Sequence, residues 1–563
     1  MKLSKTAKAV LKERYLLKGE SPKQMFERVA RCVASLEPPN TRKKLESEFL
    51  SLMLSLRFIP NSPTLMNAGK PGGQLSACFV LPIGDSLESI YDSLKDAALI
   101  HHSGGGTGFS FSKIRPRGGL VKKSGGYAAG PVGFLELFNK STDVIRQGGK
   151  RRGANMGILR VDHPDILEFI RIKSDPLALS NFNLSVGITD QFMKAYATGK
   201  KFDLVDPRNR KKVSSVSSDV LMNEIALAAW NCGDPGLIFL DEINRKNPTP
   251  DLGDIEATNP CGEQPLLPNE SCNLGSISLP RFFRKGQFDW KSFENAVGLA
   301  IRFLDNVIDL NSYPTAACEK ISKVNRKIGL GVMGFADLLL LMALPYDSEP
   351  ALQFAERVMK FLDDTAKNES AKLARERGSF KGFSRSIWKK RGSFPLRNAT
   401  VSTVAPTGTI SIIAGVSSGI EPLFSAVLER RVLDGRVFRE VHPELEKLLK
   451  KKSVDLNAVD ETIAKQLMLD RYGKSFRVSS EISVDWHIRV QAALQRYSDS
   501  AVSKTINLPS SATVDDVKKA FFLAHELKCK GITVYRDGCK VGQVLTAIEE
   551  NSADSKRYDC IDC

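Results

Sequence analysis

Thr258-Asn259-Pro260-Cys261-Gly262-Glu263-Gln264-Pro265-Leu266, followed at 271–275 by Ser-Cys-Asn-Leu-Gly, is the stretch on which the reading of this chain turns. Pro260 and Gly262 disfavour a helix there, because proline lacks the amide donor and glycine loses the most backbone entropy. In an extended segment, residues two apart point to the same side, about 6.5–7 Å from one another. Asn259, Cys261 and Glu263 would then present an amide, a thiol and a carboxylate to one substrate. That set can act as a polar anchor, a radical site or nucleophile, and a base. The competing interpretation is a loop with an incidental cysteine, and a short motif alone does not separate the two.

Working outward, the chain has 563 residues, enough to bury a large core and too many for one ordinary small domain. Its 42% hydrophobic and 26% charged residues suit a globular protein. No uninterrupted apolar run reaches the roughly 20 residues of a membrane span. The stretch from Met1 to Lys12 carries charges throughout and has no apolar core like that of a signal peptide, so a cytoplasmic location is expected. The net charge of +17 suits a polyanionic partner, either nucleic acid or nucleotide phosphates, and is equally compatible with simple solubility. No zinc finger, RNP-type aromatic motif or basic helix favours nucleic acid, and no nucleic-acid or membrane partner is expected. Ten cysteines in a cytosolic chain of this size are not a disulfide framework. Cys78, Cys261 with Cys272, and the terminal Cys560-Ile-Asp-Cys563 are set apart by context from cysteines that serve as small hydrophobes.

Residues 1–58 read as a helical region, with apolar positions Leu11, Tyr15, Met25, Val29, Val33, Leu45, Phe49 and Leu52. A break follows at Ile59-Pro-Asn-Ser-Pro-Thr64, a rigid loop rich in hydroxyls. Beyond it, strand-like runs alternate with helical patterns. The runs are 77–82, 108–114, 185–189, 237–240, 400–404 and 503–508; the helices include 86–102, 131–147, 290–310 and 350–376. The alternation indicates an α/β architecture, and its length without a linker indicates one large barrel or sheet domain over 59–542. Thr513-Val-Asp-Asp516 signals the start of a helix that ends near Cys529, before a strand-like 532–535. Residues 543–563 are polar and loosely patterned and read as a flexible tail.

Three further stretches carry candidate chemistry. Ser103-Gly-Gly-Gly-Thr-Gly108 is neither a Walker A loop nor a Rossmann fingerprint; by itself it reads as a tight connection between helix and strand. Ala405-Pro-Thr-Gly-Thr-Ile-Ser411 would bind phosphate if a helix starts near Ile410, or simply cap that helix. Gln147-Gly-Gly-Lys-Arg-Arg-Gly-Ala-Asn155 places three cations among glycines, which suits a polyphosphate clamp or a solvated basic loop.

Taken together, these motifs resemble the catalytic chain of ribonucleotide reductases, and are most similar to its adenosylcobalamin-dependent class. The resemblance runs in order over about residues 10–540, through Pro60-Asn-Ser-Pro-Thr-Leu-Met-Asn-Ala-Gly69, Ala77-Cys-Phe-Val-Leu81, His101-His-Ser-Gly-Gly-Gly-Thr-Gly-Phe-Ser110, Gly148-Gly-Lys-Arg-Arg-Gly-Ala-Asn-Met-Gly157 and Asn259-Pro-Cys-Gly-Glu-Gln264. It continues through Ala405-Pro-Thr-Gly-Thr-Ile410, Ser417-Ser-Gly-Ile-Glu-Pro422, Val502-Ser-Lys-Thr-Ile-Asn-Leu-Pro509 and Lys530-Gly-Ile-Thr-Val-Tyr-Arg-Asp-Gly538.

The resemblance implies a ten-stranded α/β barrel with a finger loop, and a thiyl radical on Cys261 that takes the 3′ hydrogen of the ribose. It implies Glu263 as general base, Asn259 as holder of the substrate hydroxyls, and Cys78 with Cys272 as the pair that ends as a disulfide. Ser62, Ala77, Cys78, Gly105, Gly106, Asn259, Glu263 and the loop Pro406, Thr407, Gly408, Thr409 and Ile410 would line the substrate site. Asp143, Lys150 and Arg151 would bind a dNTP or ATP specificity effector at a homodimer interface, and residues 180–185 would relay its identity. Cys560 and Cys563 would pass electrons from thioredoxin or glutaredoxin, a reading the family favours over metal binding, so no metal site is expected.

The class follows from what is missing. There is no Tyr-Tyr dipeptide of the kind that receives a radical from a separate metal subunit, and no Arg-Val-Cys-Gly-Tyr glycyl-radical motif. Against it, Asp485-Trp-His487 is not completed to a cobalamin signature, since Val490 stands where glycine would be, but the class does not depend on that motif. The helical segment near Leu11–Leu17 comes almost at once, so no separate module for overall dATP inhibition is expected. The resemblance points to ribonucleoside diphosphates as substrates. The alternatives are a class I large subunit that depends on a metal-containing partner, or a nonenzymatic nucleotide-binding protein.

Overall fold

Local rules account for the start of the chain. Ser21 and Gln24 form a capping box at a helix with proline in its first turn, Pro22–Ala34, whose Met25, Phe26, Val29, Ala30 and Val33 bury one face. That helix packs on Pro39–Leu54 and on Trp290–Leu310. The computed structural model describes residues 3–120, 125–147, 151–175, 177–432, 435–456, 459–539 and 545–547.

The helices lead into ten strands: β1 (Phe58–Pro60), β2 (Cys78–Leu81), β3 (Gly106–Ser110), β4 (Asn155–Arg160), β5 (Phe182–Ile188), β6 (Gly236–Phe239), β7 (Ser271–Ser278), β8 (Ile328–Met333), β9 (Thr505–Leu508) and β10 (Gly531–Arg536). They form one mixed sheet in the order β1-β7-β2-β3-β4-β5-β6-β10-β9, with β8 on the other side of β7. Strands β2 to β6 run parallel, each in register with the next. Strands β7 with β8, and β9 with β10, form the other parallel pairs. The gap between β8 and β9 is filled by residues 400–404. Leu330 pairs with Ser402 and Val404 with Val502, both parallel. Leu330 N donates to Val401 O at 2.8 Å, and Ser503 N to Val404 O at 2.9 Å. The sheet therefore closes into a barrel of two parallel halves, antiparallel to each other at two seams. One seam is β2 against β7, with Cys78 opposite Cys272; the other is β6 against β10, with Leu237 opposite Ile532. β1 is attached outside this ring, antiparallel to the far end of β7. The run 400–404, expected as an ordinary strand, is joined through isolated bridges rather than a continuous ladder.

Alternation along the strands sorts the core. Phe79, Leu81, Phe109, Leu159, Phe182, Leu184, Leu237 and Phe239 face outward and pack under the crossover helices. Cys78, Val80, Met156, Ile158, Ile238, Cys272 and Leu274 line the interior with Ala257 and Leu266. Those last two belong to a hairpin, Ala257–Thr258 with Pro265–Leu266, that enters the barrel and carries the opening motif at its turn.

Glycines make room for it. A Cβ at Gly108 would stand 1.7 Å from Thr258 O, and one at Gly106 would stand 2.9 Å from Pro260 Cγ. Across the barrel, a Cβ at Gly329 would meet Gln264 Nε2 at 2.7 Å, and one at Gly331 would meet Thr403 O at 2.5 Å. The stretch 103–108 is thus more than a tight connection. Gly104 ends the helix Leu87–Ser103 at φ +107°, while Gly106 and Gly108 lie in β3 and admit the hairpin. Gly108→Ala must push hairpin backbone aside; we expect a loss of about 1–3 kcal/mol or more in a thermal melt, with turnover falling further than stability. A variant that melts and turns over as the parent would show that the hairpin does not need this contact.

The helical start is tied to the barrel by charge. Buried Glu37 accepts from Arg302 Nε at 3.0 Å, Arg377 at 2.8 Å and Asn306 Nδ2 at 2.8 Å. Among the described residues, no helix is long and apolar enough to cross a membrane.

Candidate active site

The hairpin turn departs from the extended geometry expected of it. Gly262 N donates to Asn259 O at 3.0 Å, and Asn259 N to Gln264 O at 3.1 Å. Gly262 sits at φ +80°, a conformation that suits glycine. The turn folds the triplet back on itself, so its three side chains do not share one strand face. Asn259 and Glu263 are buried, whereas Cys261 is exposed at the tip.

Beneath the tip the buried groups converge. Asn259 Nδ2 donates to Cys78 Sγ at 3.1 Å, and Cys78 Sγ lies 4.0 Å from Glu263 Oε1. Asn259 Oδ1 accepts from Gln264 N at 2.9 Å, which fixes the amide's orientation. The Glu263 carbonyl accepts from Ala501 N at 2.9 Å and Thr403 Oγ1 at 3.1 Å, so the opposite half of the barrel holds that residue's backbone. Its Oε2 is buried with no hydrogen-bond partner among the described residues. Cys272 stands directly across the seam from Cys78. Opposed residues of an antiparallel pair have Cα atoms about 4.5–5.5 Å apart, within the range a disulfide spans.

Burial sets the protonation states. It pushes the Glu263 carboxyl up to about 7, against the hydrogen bond from Asn259. Burial and the nearby Glu263 raise the Cys78 thiol well above its ordinary value, and burial does the same to Cys272. Below Cys272 a buried ion pair, Lys327 Nζ to Glu270 Oε2 at 2.6 Å, is completed by Asn325 Nδ2 at Glu270 Oε1, 2.5 Å away. The arrangement contains two protonated thiols able to become a disulfide, a carboxyl poised near neutrality, and a third, exposed thiol on the hairpin turn, near enough to act electrostatically on Cys78.

Residues 76–535 match the family model described as "Ribonucleotide reductase, barrel domain", and residues 1–73 match "Ribonucleotide reductase, all-alpha domain". The chain belongs to the ribonucleotide reductase family. It is 51% identical to the vitamin B12-dependent ribonucleoside-diphosphate reductase of Thermoplasma acidophilum, over 91% of this chain and 67% of that one. It is 47% identical to a protein of the same name from Mycobacterium tuberculosis, over 97% of this chain and 81% of that one. Among solved structures it resembles the class Id ribonucleotide reductase alpha subunit of Actinobacillus ureae, with a TM-score of 0.78, 26% identity, and coverage of 95% and 97%.

The other residues singled out by this family's motifs lie on several separate elements. Ser62 opens a short helix, Ser62–Asn67, that Asn61 caps, in place of the expected rigid loop. Ala77 immediately precedes β2 and donates its N–H to Cys272 O at 3.2 Å. Gly105 is pressed against Ile100 and Phe79, where a Cβ would come within 2.7 Å of each. Pro406 to Ile410 follow residues 400–404, and the helix begins at Gly408, two residues before the expected start. Thr407 sits at φ +60° and its Oγ1 accepts from Gly419 N at 2.7 Å. Asp143, in the last turn of the helix Gly130–Val144, accepts from Asn181 Nδ2 at 2.7 Å. Arg151 lies in a two-residue ladder, Gln147 opposite Arg151. Lys150, Cys560 and Cys563 lie outside the described residues.

Several residues escaped the sequence reading. Tyr15 Oη lies 2.7 Å from Ser62 Oγ, Thr403 holds the Glu263 carbonyl, and Asn183 Nδ2 donates to Pro260 O at 2.9 Å. Their partners are remote in sequence, and no local pattern marks them. The glycines at 329 and 331 did carry a signal, since glycine inside a strand indicates close approach of another backbone.

Proposed function

We propose that this chain reduces ribonucleoside diphosphates to 2′-deoxyribonucleotides by thiyl-radical chemistry started with adenosylcobalamin. The observation that carries the reading is one exposed thiol, Cys261, on a hairpin turn whose Asn259 and Glu263 are buried together with the facing pair Cys78 and Cys272. The relatives named vitamin B12-dependent ribonucleoside-diphosphate reductase support both the substrate class and the cofactor.

The tip leaves open space beside Cys261, since a Cβ at Gly262 would meet no described atom within 4 Å, and adenosylcobalamin would approach from that side. When bound, adenosylcobalamin supplies a carbon-centred radical that can take hydrogen from a thiol. Once a thiyl radical, Cys261 takes the 3′ hydrogen of the ribose. Glu263, through its unpartnered Oε2, takes the proton of the 3′ hydroxyl. The 2′ hydroxyl leaves as water with a proton from the Cys78–Cys272 pair, whose raised pKa values keep both protons in place. The pair then gives two electrons and closes to a disulfide, and Cys261 returns hydrogen to C3′. Asn259, with its amide already oriented by Gln264, holds the substrate hydroxyls beside Cys78. Ser62, Ala77, Gly105, Gly106 and the 406–410 loop hold the ribose and phosphates.

Cys560 and Cys563 reopen the disulfide and are themselves reduced by thioredoxin or glutaredoxin. Effector nucleotides bind near Asp143, Lys150 and Arg151. Exposed Leu87, Tyr91 and Leu99 on one helix and Val144 on the next suit a homodimer at that face. The test is an assay of the purified chain with and without adenosylcobalamin. We expect deoxynucleotide formation only with it; activity that instead requires a second iron- or manganese-containing protein overturns the assignment.

A further inference from the structure

We infer that Asn183 is a positioning residue for Cys261, holding the hairpin tip at the angle from which the thiol acts. The inference rests on reading Cys261 as the radical cysteine. Asn183 is the second residue of β5. Its neighbours Phe182 and Leu184 point outward into the helix-covered core. Strand alternation therefore turns Asn183 inward, where it is exposed to the barrel interior beside the hairpin. There its Nδ2 donates to Pro260 O at 2.9 Å.

That carbonyl belongs to the peptide unit joining Pro260 to Cys261. Fixing its direction fixes the plane from which the Cys261 side chain departs. The proline ring is seated against Gly106, and the Gly262–Asn259 hydrogen bond closes the turn on the other side. Neither contact sets the rotation of this peptide, and the following residue is a glycine at φ +80°. The Asn183 amide reaches the carbonyl of this peptide directly.

The strand that carries Asn183 is itself clamped. Two residues upstream, Asn181 N donates to Asn139 Oδ1 at 3.0 Å, and its Nδ2 to Asp143 Oδ1 at 2.7 Å. The Asn181 carbonyl accepts from Asn155 N at 2.9 Å and Asn155 Nδ2 at 3.1 Å. The helix Gly130–Val144 thus grips the start of β5 from outside, while Asn183 grips the cysteine loop within. Asn183 donates to backbone and is assigned no contact with the reacting atoms, so its loss acts through Cys261. Misplacing a reacting group by about 1 Å can cost on the order of 100-fold.

The test uses Asn183→Asp, isosteric but without the donor when ionised, Asn183→Ala, and Asn183→Gln, which keeps the amide. Cys261 is also labelled with iodoacetamide and followed by peptide mass mapping, a readout that requires neither cofactor nor substrate. For Asp and Ala we expect kcat to fall about 10–100-fold, KM to stay within about twofold, and the Cys261 labelling rate to change at least about threefold, with unaltered melting; Gln restores part of kcat. Unchanged kcat and labelling overturn the inference. A rise in KM with unchanged labelling also overturns it, because Asn183 would then be a substrate contact. A loss of folded protein in all three variants overturns it in favour of a structural role. If Cys261→Ser keeps its turnover, the failure lies instead in the reading of Cys261.

Discussion

Cys261→Ser is expected to leave no measurable turnover while nucleotide binding persists. An alcohol O–H bond is far stronger than a thiol S–H bond, so a hydroxyl at this position cannot be converted to the radical that takes the 3′ hydrogen. The substitution removes no packing, because Cys261 is exposed at the hairpin tip. Surface changes of this kind usually alter stability by no more than about 0.5 kcal/mol. The loss of rate should be at least about 10⁴-fold, the scale seen when the atom that performs the chemistry is deleted. Deoxynucleotide formation and calorimetric nucleotide binding, measured on one preparation, check it. A residual rate within tenfold of the parent would remove Cys261 from the chemistry and favour the nonenzymatic nucleotide-binding reading. Loss of binding along with turnover would instead indicate collapse of the substrate site.

The second large effect concerns Glu263. With its carboxyl pushed up to about 7 by burial, only a fraction is ionised in mildly acidic solution. The log of kcat/KM should therefore rise with slope one up to about pH 7 and then level off. Glu263→Gln keeps the shape, cannot accept the proton, and should lose about 10²–10⁴-fold together with that acid limb. Stability moves in the opposite sense to activity. The folded-state value lies above the unfolded one, so the folded protein holds its proton more tightly. The resulting stabilisation is fully present below about 4.5 and is lost as pH rises through about 7. Denaturant melts from pH 4 to 8 should show this loss, on the order of 3 kcal/mol, in the parent and not in Glu263→Gln. A variant retaining both the acid limb and the parent rate would assign the proton transfer to another group.

Much of the architecture was legible before any coordinates. Thr513 with Asp516, and the amphipathic run 290–310, mark helices through nearest-neighbour chemistry, and helices stand there. The strand Asn155–Arg160 is buried between two parallel neighbours and shows little alternation. Ser271–Ser278 is a fully buried strand built largely of small polar residues, so its sequence looks like loop. The triplet at 259–263 was misjudged in geometry. Spacing says which side chains an extended chain would align, but this segment turns, because Gly262 can adopt φ +80° and the hairpin has to fit between facing strands.

By itself the sequence determined the chemical inventory: a thiol flanked by an amide and a carboxylate, two further cysteines, and enough ordered motifs to indicate the family. Only the tertiary structure decided that Cys78 and Cys272 face each other across the seam, that Cys261 is exposed while they are buried, and that Asn183 reaches the Pro260 carbonyl. The reason is physical. Helix signals are carried by residues three or four apart, whereas barrel register is set by hydrogen bonds between strands remote in the chain. A one-residue slip in that register would turn every side chain to the opposite face.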